Sequence, residues 1–400
     1  FPTRRSSDLL SILWGITYCL TSAMNKYGMG QCERLGQFTC NDVDRRGVHL
    51  LVAHDCQPSS LRTVKNNESP IKLTEWTSCG GCAAKWGASL LSDLVSDLPE
   101  SFDSSLLVGL APFDDAAVYQ LTPEVALVST TDFFPPLVDD PSDFGAIAAA
   151  NACSDVFAMG GRVVLAVNIA AFPEELPRDV IASIFAAASE TVRNAGGTIA
   201  GGHTIRNPEP IFGLAVQGVV DPRHIFRKSG ALPGDVAILS KPLGTGLVTA
   251  AGTAEQKKSA IGGMRTLNRV AAEQLREHQD SVHAVTDVTG YGLAGHGWEM
   301  SDRSGARLII DSSSLPLYEG AHEIAASGHR TGGDPRNRAY VADRLTTTAD
   351  DSYVAICMDP QTSGGLLAAV TPEIAKALCS TDQWTQIGHF TGETPGIEIR

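Results

Sequence analysis

Between residues 106 and 220 the chain alternates short apolar runs with helical patterns, and several of these segments stop at an aspartate or a glycine pair. That alternation confines the fold to mixed architectures in which sheets carry helices on their faces. Residues 106–108, 116–119, 125–131, 163–171 and 211–220 read as strands, and 143–159 and 177–195 as helices. The style resumes further on, with strands expected at 236–240, 283–287, 307–311, 353–358 and 366–370. Helices are expected at 264–277, from about 293, at 318–327 and at 372–379. The turn-rich stretch 222–234 separates the two halves and reads as a linker.

The helix at 143–159 is rich in alanine and ends at Gly160-Gly161, a common C-terminal signal. Asn151 and Asp155 are four residues apart and share one face. On so apolar a helix, two stacked polar groups need a partner. A metal ion bridging phosphates would supply one, and so would a polar core network. Other carboxylates sit at comparable places. Asp132 closes an apolar strand, Asp114 and Asp115 follow Pro112-Phe113, and Asp287 stands between an apolar strand and a glycine turn. A carboxylate at a strand end is well placed for a site, although an N-cap or turn would use each of them equally well. Gly201-Gly202-His203-Thr204 follows a strand and offers backbone donors for a phosphate or ribose. The later Gly244-Thr245-Gly246 lacks the third glycine of a dinucleotide fingerprint and reads as a structural turn.

One stretch carries nucleophile chemistry: Cys79-Gly80-Gly81-Cys82-Ala83-Ala84-Lys85. Lys85, three residues from Cys82, favours the thiolate, and the glycines allow close approach to a ligand or a hinged movement. A zinc site or a redox pair would use the same CxxC, but no second CxxC or HxxxH accompanies it.

With 400 residues and 43% hydrophobic content the chain can bury a large core. Its net charge of −14, with no basic cluster, argues against a nucleic-acid surface. Nine cysteines are too few for a disulfide scaffold; four of them fall before residue 60, and the remaining five suit a reducing compartment. Residues 1–9 resemble a translated adapter, and the apolar run that follows is too short and interrupted to span a bilayer. Residues 1–70 are therefore expected to be a disordered or artefactual leader.

Taken together, LTEWTSCGGCAAK (73–85), DDAAVY (114–119), STTDFFPP (129–136), NACSDVFAMGG (151–161), AGGHT (200–204), TDVTGYGLAGH (286–296) and DPQTSGGLL (359–367) resemble the selenophosphate synthetase (selenide, water dikinase) family, within the aminoimidazole ribonucleotide synthetase-like superfamily. The resemblance implies an α+β fold of two domains, with N-terminal domains pairing into a dimeric β-barrel and a glycine-rich mobile lid ahead of them. It divides the chain into a lid and first helix at 71–101, an ATP- and Mg²⁺-binding dimerisation domain at 102–221 and a C-terminal domain at 235–400. It further implies formation of selenophosphate, AMP and phosphate from ATP, selenide and water. Carried over by motif, Cys82 and Lys85 are the catalytic pair, and Asp115, Asp155 and Asp287 hold Mg²⁺. Lys85, Pro112, Phe113, Asp114, Asp132, Asp155, Gly202, His203 and Thr204 contact ATP, the last three across a homodimer. A monovalent cation such as K⁺, a cytoplasmic location, and no nucleic-acid or membrane partner complete the expectation. Many relatives carry Cys-Gly-Cys-Lys where this chain has Cys82-Ala83-Ala84-Lys85 with Cys79 upstream; the lysine spacing favours Cys82. The alternatives are another ATP enzyme of the superfamily, such as a thiamine-monophosphate kinase, and a non-catalytic nucleotide- or selenium-binding protein.

Overall fold

The computed structural model describes residues 71–77, 80–81, 103–110 and 113–400. Cys79, Cys82, Lys85, Pro112 and the leader lie outside the described residues.

Among the described residues the chain builds two mixed sheets. The first contains β1 (Leu106–Val108), β2 (Ala117–Gln120), β3 (Ala126–Phe134), β4 (Arg162–Phe172), β5 (Thr198–Arg206) and β6 (Ile211–Val220). Their spatial order is β1-β2-β3-β6-β4-β5, antiparallel throughout except for β4 beside β5. The sheet is open. Successive side chains on a strand point to opposite faces. In β3, accordingly, Ala126, Val128, Asp132 and Phe134 are buried while Thr131 and Phe133 are exposed.

Helices α1 (Pro141–Ala158) and α2 (Arg178–Asn194) cover the inner face. Asp140 caps α1 by accepting the Asp143 N–H at 2.9 Å, and Pro141 fills a position whose missing N–H costs nothing. The whole run from Phe144 to Ser154 is buried, and a helix apolar all round has to be enclosed. One side of α1 packs on β3 and β6, and another meets elements of the second sheet. At Gly145 the neighbouring helix comes so close that a Cβ would lie 2.2 Å from the Ile184 carbonyl oxygen.

The second sheet runs β10 (Leu345–Thr347), β13 (Gly396–Ile399), β9 (Arg307–Ile310), β12 (Thr385–Thr391), β7 (Val236–Leu239), β11 (Leu366–Val370) and β8 (Val282–Asp287). Its strands alternate between two cores. Ile238, Leu366, Ala368 and Val370 join the core that contains α1, while Ala237, Leu239, Leu367 and Ala369 face a second core. That second core includes α6 (Gly292–Ser304) and α9 (Asp351–Met358). The layers are thus a sheet, helices, a second sheet and more helices.

Three local expectations change. Residues 353–358 form the end of α9, not a strand; a six-residue apolar run carries no period that separates a buried helix from a buried strand. The single helix expected at 264–277 is two, α4 (Ala254–Arg265) and α5 (Arg269–Glu277). Thr253 and Gln256 start α4 with a capping box, a signal present in the sequence. The Gly201–Thr204 segment does not follow a strand but lies inside β5, at the sheet edge. No helix among the described residues is long and apolar enough to cross a membrane.

Candidate active site

Three carboxylates converge where the two sheets meet. Asp115 lies just ahead of β2, Asp155 in the last turns of α1, and Asp287 is the final residue of β8. One oxygen from each lies within 4.8 Å of the others. The side chains of Asp115 and Asp287 are buried, at 3% and 1% exposure. Asp115 Oδ1 accepts the Thr286 hydroxyl at 3.0 Å and lies 2.9 Å from Lys228 Nζ. The buried Oδ2 atoms of Asp115 and Asp287 have no hydrogen-bond partner. Thr130 donates its hydroxyl to Asp155 Oδ2 at 2.5 Å.

Asp115 does not readily ionise in this setting. Burial pushes the Asp115 carboxyl up to about 8, and the charges of Asp287 and Asp114 add to the effect, while Lys228 opposes it. Asp114 is also raised by burial, against Lys228. Burial works against the Lys228 ammonium, but Asp115 and Glu299 beside it prevail and hold it above its ordinary value. Burial likewise works against ionised Glu299, yet Lys228 and His296 hold it well below the usual carboxylate range. Lys228 Nζ is 2.9 Å from Glu299 Oε2, and His296 Nε2 lies 3.2 Å from the Thr289 hydroxyl. An all-oxygen donor set with two orphaned buried oxygens fits a hard divalent cation such as Mg²⁺.

Lys228 was not among the expected site residues. It falls in the stretch read as a linker, where a single lysine carries neither period nor motif, so no signal in the sequence marks it.

Asp132 is buried in β3 and accepts a hydrogen bond from Asn151 Nδ2. Asn151 Oδ1 in turn accepts the Ser363 N–H at 2.7 Å. The polar pair on α1 is therefore divided: Asp155 joins the carboxylates, and Asn151 belongs to a core network. Ser363, at φ 50°, is the one described non-glycine residue with a positive φ. Its carbonyl accepts Lys241 Nζ at 2.8 Å, and Lys241 also donates to the Thr266 carbonyl at 2.6 Å. Burial brings Lys241 down to about 7, with Asp287 opposing. Asn268 Nδ2 bonds both Ser154 Oγ on α1 and the Gly364 carbonyl, each at 2.8 Å. The turn 359–365 is thus fastened to α1. The same turn caps α3 (Thr245–Ala251): Gln361 Oε1 accepts the Gly244 and Thr245 N–H groups, and Asp359 Oδ2 those of Gly246 and Leu247.

Phe113 lies under the Arg303 guanidinium, 4.1 Å from its ring centre, and its carbonyl accepts from the same arginine. Asp114 accepts the Lys228 N–H at 3.1 Å. Gly202, His203 and Thr204 are exposed on β5 and pair with Asn168, Ile169 and Ala170 of β4. Three strand spacings, about 14 Å, separate β5 from β3. Within one chain, then, they are not adjacent to Asp132 on β3.

The segment leading to Cys82 is anchored. Leu73 is fully buried in the core, Thr74 bonds Asp139 and Thr77 bonds Glu209. The Gly81 N–H donates to the Pro135 carbonyl at 2.9 Å. At Gly81 the φ is 62°, and a Cβ would lie 2.7 Å from Thr362 Oγ1, so both conformation and space call for glycine. Beside this segment is a cavity of about 370 Å³, bordered by Thr74, Thr77, Gly80, Leu137, Gly246 and Thr362.

Known proteins resemble this chain in sequence and in fold. Residues 113–220 match the AIR synthase related protein N-terminal domain, and 233–399 match the corresponding C-terminal domain. Selenide, water dikinase from Myxococcus xanthus is 44% identical over 84% of this chain and 99% of its own length. The same-named proteins of Caldanaerobacter subterraneus and Pseudomonas straminea are 44% and 43% identical, over 77% and 79% of this chain and 90% of each relative. Among solved structures, thiamine-monophosphate kinase from Aquifex aeolicus aligns with a TM-score of 0.58 at 18% identity, covering 77% of this chain and 95% of that one. A chain of a HypE–HypF complex aligns with a TM-score of 0.57 at 17% identity, covering 78% and 96%. At such identities these structures establish the two-domain fold alone. Family domains across both sheets and close relatives along nearly their full length lead to one conclusion: the chain belongs to the selenide, water dikinase family of AIR synthase related proteins.

Proposed function

We propose that this protein is a selenophosphate synthase, which converts ATP, selenide and water into selenophosphate, AMP and phosphate. Two phosphoanhydride bonds break; selenium takes one phosphoryl group and water oxygen the other. The product would serve as selenium donor for selenocysteine and selenouridine synthesis. The observation that carries the reading is the convergence of Asp115, Asp155 and Asp287 from both sheets, with two buried oxygens left unpartnered. Bound there, Mg²⁺ would neutralise the phosphates, and phosphoryl transfer is mostly positioning plus charge neutralisation.

The remaining parts belong to the chain. Asp132, held by Asn151, lies in the strand leading to the loop that anchors the Cys82 segment, and with Asp155 and the loop 112–114 it would hold the nucleotide. The described residues 71–77 and 80–81, held by the contacts of Leu73, Thr74, Thr77 and Gly81, would form the base of a glycine-rich lid within 71–101. From it Cys82 would bring selenium, and Lys85 would contact a transferring phosphate. A homodimer would place Gly202, His203 and Thr204 of one protomer against the ATP of the other. Their exposure on an edge strand supports that assignment. So does the bare apolar face of the first sheet, where Tyr119, Phe133 and Ile205 are 38%, 50% and 54% exposed. Pairing of two such open sheets would close the β-barrel. The assigned units are 71–101, 102–221 and 235–400, joined at 222–234, in a cytoplasmic protein; K⁺ is an additional expected cation for which we assign no ligands.

The test is anaerobic turnover of ATP with Mg²⁺, with and without selenide, reading AMP. Cys82→Ser is expected to abolish selenide-dependent AMP formation, and Cys79→Ser to leave it near wild type. The reverse pattern would move the reacting thiol to Cys79, and AMP formation indifferent to selenide would overturn the function.

A further inference from the structure

Lys228 stands between β6 and β7, on neither sheet, yet its side chain is 5% exposed and its ammonium reaches the carboxylate cluster. It grips the 114–115 pair at two points. Nζ lies 2.9 Å from Asp115 Oδ1, and the backbone N–H donates to Asp114 at 3.1 Å. A buried ammonium is costly without a counter-charge, and Glu299 supplies a second one at 2.9 Å. Tyr340 and His296 in turn surround Glu299. The consequence for Asp115 is geometric. Lys228 and the Thr286 hydroxyl both occupy Oδ1, which leaves Oδ2, buried and without a hydrogen-bond partner, as the oxygen free for a cation.

We infer that Lys228 is a positioning residue for the metal-binding carboxylate Asp115, held in place by Glu299. The inference rests on the reading of Asp115, Asp155 and Asp287 as metal ligands. Two effects of the lysine oppose each other. Its charge repels a divalent cation a few ångströms away, so removing it would tighten binding if charge alone mattered. Its hydrogen bond fixes which oxygen the cation meets, and loss of such an outer partner typically weakens metal affinity about 10–100-fold. With Oδ1 doubly occupied and Oδ2 unpartnered, orientation outweighs repulsion.

The experiment is Mn²⁺ binding to the full chain without nucleotide, followed by electron paramagnetic resonance of the free ion, with folding checked by circular dichroism. Wild type is expected to bind and Asp287→Asn to lose binding. If both bind equally or neither binds, the metal reading itself fails. Given that control, Lys228→Met is expected to raise Kd for Mn²⁺ about 10–100-fold, and Lys228→Arg, which keeps a cationic donor, to recover part of the loss. An unchanged or tighter Kd in Lys228→Met overturns the inference. Should that variant not fold, Lys228→Gln carries the same test, with an unchanged or tighter Kd again overturning it.

Discussion

The two sheets differ less in size than in what covers them. In the second, all five residues of β11 are buried, because its alternate side chains enter two different cores. In the first, β5 is exposed along nearly its whole length, and β3 sets Phe133 against solvent while Phe134 is buried. A sheet that hides both faces contributes stability and a rigid edge. The Asp287 end of β8 uses that edge. A sheet with one bare apolar face has a use for it only if another surface arrives, and a second copy of the chain is the proposed occupant. The proposed active site lies where the self-sufficient sheet meets the incomplete one.

The contrast can be broken by substitution. In the second sheet, Leu366→Ala removes a fully buried side chain and is expected to cost about 2–5 kcal/mol in urea unfolding. A cost below about 1 kcal/mol would mean that this face is not the packed core described here. In the first, Phe133→Glu is expected to change protomer stability by less than about 0.5 kcal/mol while shifting the sedimentation coefficient from dimer to monomer. A dimer that persists would leave the bare face unexplained. A smaller effect concerns the turn that fastens the second sheet to α1. Burial pushes Asp359 up to about 7, against the backbone amides that it accepts, from an ordinary value near 3.8. A carboxyl raised in the folded state contributes its full stability below the lower value and loses it as pH rises through the higher one. Wild type should therefore lose stability relative to Asp359→Asn between pH 4 and 7, with a constant difference above 7. Parallel pH profiles would contradict the buried, protonated state.

Much of this was legible because it depends on local pattern. The alternation of strands and helices, the end of α1 at Gly160, and Asp287 closing an apolar strand follow from periodicity and turn chemistry. The carboxylates could be proposed because each stands at an element end or on a shared helical face. The rest required three dimensions. Lys228 acquires meaning only from Asp115 and Glu299, 113 and 71 positions away. Asn151 could not be separated from Asp155 until the turn 359–365 was seen to reach it. The run 353–358 became a helix because α6, α7 (Ala321–Ala326) and α8 (Asp334–Val341) pack around it, a tertiary choice that six apolar residues do not encode.

One site, assembled from both sheets, is proposed to transfer phosphoryl groups to selenium and water. Phosphorus NMR of anaerobic reactions with ATP, Mg²⁺ and selenide tests it most directly. Wild type should give selenophosphate, AMP and phosphate in equal amounts, and Asp287→Asn, folded but lacking the carboxylate from β8, should give none. Accumulation of ADP without a selenium-bonded phosphorus signal, or full product formation by Asp287→Asn, would contradict the account.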